Sequence, residues 1–187
     1  MLSVASVIPP GDSPSGSHIK PRSLEARNGP IRLPDGKLVA LVIHVGKEAG
    51  FENYESRGEL RTKEGSLLCP ADYSSEGSEH GYGVAKAAWT PDAQFFVYSL
   101  QSSGGHSPWH TPVQFYNRRQ NKVLSLDEVL GDSIAYPEFS IREPDEITLT
   151  RYSSQRQMTL RLSELPRANP QKKSRVVTVH CPNPTKL

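Results

Sequence analysis

The apolar residues of this 187-residue chain fall into short runs that are separated by turn-forming residues. Leu38 to Val45 is almost continuously apolar and follows the turn sequence Pro34-Asp-Gly36. Phe95 to Leu100 is a second such run. Short continuous apolar runs bounded by turn residues are typical of strands that are buried on both faces. These two segments are therefore predicted to be fully buried strands.

A later part of the chain alternates between apolar and polar residues. Ile147 and Leu149 are spaced by threonines, and Met158, Leu160 and Leu162 are spaced by polar residues. A period of two is typical of strands that bury one face only. We predict two half-buried antiparallel strands here, joined by the polar residues between them.

Three further elements are predicted from local patterns. Val113 to Asn117 and Lys122 to Leu126 flank a four-residue polar loop, which predicts a hairpin. Arg175 to His180 supplies a last strand. One short helix is predicted around Ser125 to Leu130, with Ser125 at its start and Gly131 at its end.

One turn sequence recurs along the chain. Pro34-Asp35, Pro91-Asp92 and Pro144-Asp145 each precede a predicted strand, which indicates one supersecondary unit used three times. The three aspartates are expected to bond neighbouring backbone N–H groups in these turns. The predicted fold class is all-β with antiparallel sheets, and a β-sandwich remains the alternative to a repeated arrangement.

The segment around the second bend resembles a known repeat. Trp89-Thr-Pro-Asp-Ala-Gln-Phe-Phe-Val-Tyr98 is similar to the Trp-Ser-Pro-Asp-Gly motif of TolB-like β-propeller repeats, and the match is best over residues 82–126. In those repeats the aromatic residue ends one strand, Pro-Asp makes the turn and the hydrophobic run enters the next strand. The resemblance implies partial or irregular β-propeller-like blades.

The number of repeats limits this interpretation. A closed propeller needs about four blades or more, whereas this chain has room for three at most. Three alternatives stay open: the domain closes in another way, the chain is a fragment, or several chains complete a ring.

Composition divides the chain into three parts. Residues 1–30 are rich in Pro, Gly, Ser and charge and are predicted to be a flexible leader. Residues 31–181 are predicted to be a single mostly-β domain of about three repeated hairpin units. Residues 182–187 form a short tail.

The charge balance narrows the range of partners. The formal net charge is +2, from 22 basic and 20 acidic residues that are spread along the chain. No one-sided field is available to attract nucleic acid, which is therefore not expected as a partner. No apolar run is long enough to span a bilayer, so membrane insertion is not expected either.

Two cysteines leave the redox state open. Cys69 and Cys181 would form one disulfide in an oxidising compartment, and two buried free thiols are an equal alternative. The absence of Cys-x-x-Cys disfavours a zinc knuckle.

The most unusual loop is residues 102–112, which contains His106, Trp109 and His110. Loops on a rigid β scaffold often carry sites, and here His106 and His110 would serve as metal ligands or acid–base groups, with Trp109 as a stacking wall for a sugar or a peptide side chain. Pro108 argues against the helical geometry that would make the two histidines a metal pair, so no metal or cofactor is expected. The structural alternative is that Trp109 plugs the end of the sheet and the histidines bond carbonyl groups.

A second polar loop contains Glu76, Glu79, His80 and Tyr82. His80 and Tyr82 would contribute to the same binding surface if both loops lie on one rim. Nothing in the sequence brings the two loops together.

No enzyme motif accompanies these loops. The chain lacks a nucleophile elbow, a phosphate-binding loop and a His-Glu-x-x-His sequence, and no catalytic residue is assigned. The predicted function is that of a non-catalytic interaction platform for a protein, peptide or glycan, as the propeller resemblance implies. The alternative is a metal-dependent or acid–base hydrolase centred on His106 and His110. The resemblance also implies a periplasmic or secreted location, and the oligomeric state is left open.

Overall fold

A computed structural model of the chain describes residues 30–45, 55–78, 80–104, 111–165 and 181–182. These residues form the following strands and helix: β1 (Pro30–Arg32), β2 (Leu38–Val45), β3 (Glu55–Thr62), β4 (Leu67–Asp72), β5 (Tyr82–Trp89), β6 (Phe95–Ser102), β7 (Val113–Asn117), β8 (Lys122–Ser125), α1 (Leu126–Leu130), β9 (Ser140–Arg142), β10 (Glu146–Thr150) and β11 (Gln157–Arg161).

The strands form three antiparallel sheets, and within each sheet every strand pairs with the strand that precedes or follows it in the sequence. Sheet 1 has the order β1-β2-β3-β4, sheet 2 has the order β5-β6-β7-β8, and sheet 3 consists of β9, β10 and β11 with β10 in the middle. The all-β, antiparallel prediction is confirmed. Within the described ranges, the sheets do not close into a barrel or a propeller.

Sheet 2 lies between the other two sheets, and β6 shows why its sequence is continuously apolar. Phe96, Tyr98 and Leu100 belong to the core shared with sheet 1. Phe95 and Val97 point the other way and belong to the core shared with sheet 3. Because successive side chains of a strand point to opposite faces, a strand with a core on each side needs apolar residues at every position. The prediction of a fully buried strand is confirmed here.

The same prediction is wrong for β2. Leu38, Ala40 and Val42 are buried against sheet 2, whereas Val39 and Leu41 between them are only half-buried. The core that includes β2 lies on one face of sheet 1, so the alternate residues of the run are on the far side from sheet 2.

The other local predictions have mixed outcomes. The hairpin of β7 and β8, the half-buried pair β10 and β11, and the short helix α1 followed by a left-handed Gly131 are confirmed. The sequence analysis did not predict β3 or β4. Arg175 to His180, and nearly all of the leader and the tail, lie outside the described residues.

All three Pro-Asp bends join the first strand of a sheet to the second. The first two bends have the same hydrogen bonds. Asp35 accepts a bond from the Lys37 backbone N–H at 2.9 Å, and Asp92 accepts one from the Gln94 N–H at 3.1 Å. This is the local aspartate bond that the sequence predicted for the turns.

The third bend has a different geometry. The Glu143-Pro144 peptide bond is cis, and the buried carboxylate of Asp145 accepts a bond from the distant backbone N–H of Ser163 at 2.6 Å. The predicted bond from Asp145 to a neighbouring N–H is therefore wrong. The bend between β9 and β10 is shorter than the other two, and its aspartate is buried where the chain after β11 supplies the donor.

Candidate functional site on the loop rim

The two ends of the stacked sheets differ in the length of their connections. At one end, here called the turn rim, the strands are joined by three to five residues, at 33–37, 63–66, 90–94, 118–121 and 143–145. At the other end, the loop rim, the described residues of the connections are 73–78, 80–81, 103–104, 111–112, 126–139, which includes α1, and 151–156. Long connections on a rigid scaffold are where binding residues concentrate, so the loop rim is the candidate functional site.

A buried carboxylate holds two of these connections together. Glu55, the first residue of β3, is only 1% exposed. Its carboxylate accepts bonds from the Ser75 N–H at 2.6 Å, the Ser75 hydroxyl at 2.8 Å, the Gly81 N–H at 2.5 Å and the Ser103 hydroxyl at 2.7 Å. Four donors from three residues satisfy a charge that would otherwise be costly to bury.

These bonds also determine the ionisation of Glu55. Burial by itself raises the pKa of the carboxyl, but the hydrogen bonds from Ser75, Ser103 and Gly81 together outweigh burial and lower the pKa below its usual value. Glu55 is therefore charged at neutral pH. We call this arrangement of Glu55, Ser75, Gly81 and Ser103 the Glu55 clamp.

The clamp requires glycine at position 81. A Cβ atom at Gly81 would meet the Tyr73 carbonyl oxygen and would lie 2.6 Å from Cδ of Glu55. Both neighbours are buried or held by hydrogen bonds, so neither has room to move away. Glycine is needed here for a close approach of the backbone to the carboxylate.

The clamp brings the two predicted loops to the same place. Tyr82, the first residue of β5, pairs with Ser102 at the end of β6. The Ser103 N–H donates to the Gly81 carbonyl at 3.0 Å. The start of the connection that carries His106 therefore lies beside the connection that carries His80. The sequence alone did not show this proximity.

His80 and Tyr82 have different exposures. His80 is exposed, and its backbone N–H donates to the Ser75 hydroxyl at 3.0 Å. Tyr82 is half-buried and packs against the core between sheets 1 and 2. Glu76 is exposed in a short 3-10 turn. Of these predicted residues, His80 is therefore more accessible to a ligand than Tyr82.

The remaining predicted residues are not described. His106, Trp109 and His110 lie outside the described residues, as does Glu79. The hydrolase alternative, which depends on His106 and His110, therefore stays a prediction.

Tyr73 joins the beginning of the 73–81 connection to sheet 2. Its hydroxyl lies 2.6 Å from the hydroxyl of Tyr98 on β6, and both groups are buried. Burial raises the pKa of Tyr73 to about 12 and the pKa of Tyr98 well above its usual value. Both tyrosines are therefore neutral, and they serve as a buried hydrogen-bonded pair between the two sheets.

Sequence reasoning missed the clamp residues Glu55, Ser75 and Ser103. Glu55 and Ser75 lie in polar segments with no distinctive motif, and nothing in the predicted 102–112 loop marks Ser103 as a partner of Glu55. The only local signal is the glycine at position 81, and a single glycine in a loop has many explanations.

An apolar cavity of about 20 Å³ lies between sheets 1 and 2 and is lined by residues such as Val42, Leu60, Val84 and Phe96. A space of that size is enough for about one water molecule, and its lining offers few polar partners. This cavity is therefore too small to hold a larger ligand.

The described parts of the chain contain no group of three or more His, Cys, Asp or Glu side chains placed to hold a metal ion. Their one α-helix, α1, is far too short to cross a bilayer. No protein-family model, curated protein or solved structure matches this chain, so the assignment of a function depends on the geometry of the loop rim.

Proposed function

We propose that this protein is an interaction domain that binds a protein, peptide or glycan at the loop rim, and that its sheets are blades of the propeller type. Two observations support blades of the propeller type: the strands follow one another in order within each sheet, and successive sheets pack face to face. The family relation to TolB-like repeats remains part of this proposal.

The Glu55 clamp is the observation that carries the binding proposal. Glu55 has one carboxylate that bonds two of the longest connections and joins them to sheet 1. A loop that is already held in one conformation loses less conformational entropy when it binds a ligand. The clamp therefore makes the rim beside His80 and Tyr82 suitable for recognition.

Contacts at the opposite end favour a structural role for the turn rim over a binding role. Asp35 forms an ion pair with Arg118 at 2.9 Å, and the Asp92 N–H donates to the Pro144 carbonyl at 3.2 Å. These bonds join the bends of neighbouring sheets to each other. One side-chain ion pair and one backbone bond thus hold the neighbouring sheets together at this end.

The proposal is tested by selection followed by footprinting. The full chain is immobilised and exposed to a displayed peptide library and to a glycan array, and the strongest binder is then used in hydroxyl-radical footprinting. We expect protection at residues 73–78, 80–82, 102–104 or 151–156, and none at 118–121 or 143–145. Protection confined to the turn rim, or no binder from either library, would overturn the proposal.

The disulfide bears on where such a domain would work. Cys69 and Cys181 are joined, and stable disulfides persist mainly in oxidising compartments. This supports a periplasmic or secreted location as part of the proposal. Thiol labelling of the protein taken from its own cells without reductant should leave both cysteines unmodified, and labelled cysteines would contradict that location.

A further inference from the structure

β4 is an edge strand of sheet 1, and its outer side presents backbone groups to a further strand. Within the described ranges, β4 pairs only with β3. The N–H of Tyr73 donates to the Ser56 carbonyl on β3 at 3.1 Å. Because backbone groups alternate in direction along a strand, those of Asp72 and Pro70 point away from β3. Pro70 has no N–H to donate, and a proline is tolerated in a strand when its nitrogen faces the edge.

The disulfide brings another part of the chain against this edge. Cys181 is bonded to Cys69 on β4, with 4.5 Å between the two Cα atoms. This separation is short for a disulfide and matches directly opposite residues of antiparallel strands that do not bond each other. Cys69 meets that condition, because it has the same orientation as Tyr73 and directs its backbone groups to β3. The distance and the orientation therefore agree on an antiparallel neighbour in which Cys181 lies opposite Cys69.

The residue after Cys181 gives the direction of this neighbour. The Pro182 carbonyl accepts a bond from the side-chain nitrogen of Asn121 at 3.3 Å, and Asn121 belongs to the turn rim. β4 begins at the turn rim and ends at the loop rim. The chain therefore runs from Cys181 toward the turn rim, so an extended segment before Cys181 would run along β4 in the antiparallel direction.

The sequence before Cys181 has the pattern that the inner face of such a strand requires. Arg175 to His180, which lies outside the described residues, is predicted from its sequence to be a strand. Val177 and Val179 would share a face with Cys181, because successive side chains of a strand alternate. Cys181 packs against the core between sheets 1 and 2, so both valines would extend that core along the edge of β4.

The alternate residues suit the outer face. Thr178 and His180 would lie on the side of the sheet where Pro70 and Asp72 are exposed. With the two cysteines opposite each other, His180 falls opposite Pro70 and Thr178 falls opposite Asp72. The N–H groups of His180 and Thr178 can then donate to β4, and the Asp72 N–H can donate to the Thr178 carbonyl.

We propose that residues 177–180 occupy the outer edge of β4 as an additional strand of sheet 1, antiparallel to β4 and held in register by the disulfide. The occupant of this edge is the chain's own segment and not a ligand of the loop rim. An uncovered edge strand invites pairing with another chain, and a segment of the same chain removes that hazard.

Hydrogen exchange of the full-length, oxidised protein, followed residue by residue by NMR, tests this pairing. We expect slow exchange at the N–H groups of Asp72, Thr178 and His180, and faster exchange at Val177 and Val179, whose N–H groups would point away from β4. Rapid exchange at the first three groups would overturn the proposal. Slow exchange at Asp72 that weakens on dilution would also overturn it, because a second copy of the chain would then occupy the edge.

Val179→Asp and His180→Asp are a matched pair that distinguishes the two faces. Val179→Asp places a charge against the apolar core, so the Asp72 N–H should exchange at least about tenfold faster than in the wild type. His180→Asp places the same charge in solvent, and the rate at Asp72 should change by less than about threefold. The N–H of Val97, in the middle of β6, should stay protected in both variants and reports that the sheets remain folded. Equal rates at Asp72 in the two variants would contradict the inward face of Val179 and overturn the proposal.

Discussion

Glu55 is a single residue that joins two connections of the loop rim to sheet 1. It is almost fully buried and charged, and its donors come from Ser75, Gly81 and Ser103. Burying a carboxylate is costly unless hydrogen bonds replace its water shell, and here two backbone N–H groups and two hydroxyl groups do so.

Glu55→Gln should destabilise the protein by about 2 to 4 kcal/mol. The side chain keeps its size, but one acceptor oxygen becomes an NH₂ group that faces other donors. Urea denaturation of the wild type and the variant measures the change. Glu59→Gln is the matched control on the same strand. Glu59 pairs with the partly exposed Arg61, so this substitution should lower the stability by less than about 1 kcal/mol. Equal effects of the two substitutions would contradict a special role for Glu55.

The stabilisation from Glu55 should also depend on pH. Because folding lowers the pKa of this carboxyl below its usual 4.5, its contribution is fully present above that value and is lost as the pH falls through the folded-state pKa. The difference in unfolding free energy between the wild type and Glu55→Gln should therefore be constant near neutral pH and shrink below about pH 4.5. A difference that stays constant into the acid range would show that the stabilisation does not come from the charge of Glu55.

Gly81→Ala should cost about 2 kcal/mol or more, because the new methyl group collides with buried neighbours. Gly58→Ala in β3 is the control, since its Cβ would lie 3.8 Å from the Ala71 carbonyl oxygen, an ordinary contact. That variant should be neutral or slightly stabilising. Thermal unfolding of both variants measures the contrast, and similar melting temperatures would disprove the close approach at Gly81.

At the scale of the elements, the packing of sheet 1 on sheet 2 includes a polar contact. Tyr73 follows β4 and Tyr98 lies in the middle of β6, and their hydroxyl groups are bonded in an otherwise apolar core. Each hydroxyl is therefore the partner that the other one needs.

Each single substitution at this pair should destabilise the protein more than the double substitution does. Tyr73→Phe or Tyr98→Phe leaves one buried hydroxyl without its partner, at about 1 to 3 kcal/mol, whereas the double variant removes both groups and should be close to neutral. A double-mutant cycle measured by urea unfolding gives the coupling. Additive effects would show that the two hydroxyl groups do not depend on each other.

The elements also show which local patterns can be predicted. β6 was predicted from a continuous apolar run, β7 and β8 from the polar loop between them, and β10 from apolar residues that recur with a period of two. β3 was missed because Glu-Ser-Arg-Gly-Glu-Leu-Arg-Thr has no such period. Its polar residues are stable in a strand because Glu55 is held by the loops and Glu59 pairs with Arg61 at 2.7 Å, and both of these depend on the folded structure.

At the scale of the whole molecule, the disulfide joins the last strand of sheet 1 to residue 181, far along the chain. Cys69 on β4 and Cys181 are separated by 112 residues, and Cys69 is buried in the core between sheets 1 and 2. A cross-link that closes so long a loop removes many conformations from the unfolded chain.

Removing the disulfide should therefore lower the stability by about 2 to 5 kcal/mol. We expect the double variant Cys69→Ala, Cys181→Ala and the wild type treated with dithiothreitol to unfold at similar, lower urea concentrations. The oxidised wild type is the reference. A double variant as stable as the oxidised protein would show that the cross-link adds nothing to the fold.

The candidate site could be predicted only in part, because its contacts join residues that are far apart in the chain. The sequence indicated His80 and Tyr82 as loop residues, and the structure places them beside the start of the 102–112 loop. The clamp could not be predicted, because Glu55 bonds Ser103 across 48 residues.

The sequence by itself determined the class of fold, the first two aspartate turns and several strands, because each of these depends on residues that are close together in the chain. Only the tertiary structure decided that β2 buries a single face, that Asp145 bonds Ser163, and that the long connections share one rim. These features depend on how the three sheets stack. The physical reason is that a turn or a strand period is a local preference, whereas the partner of a buried carboxylate or hydroxyl is set by packing between distant segments.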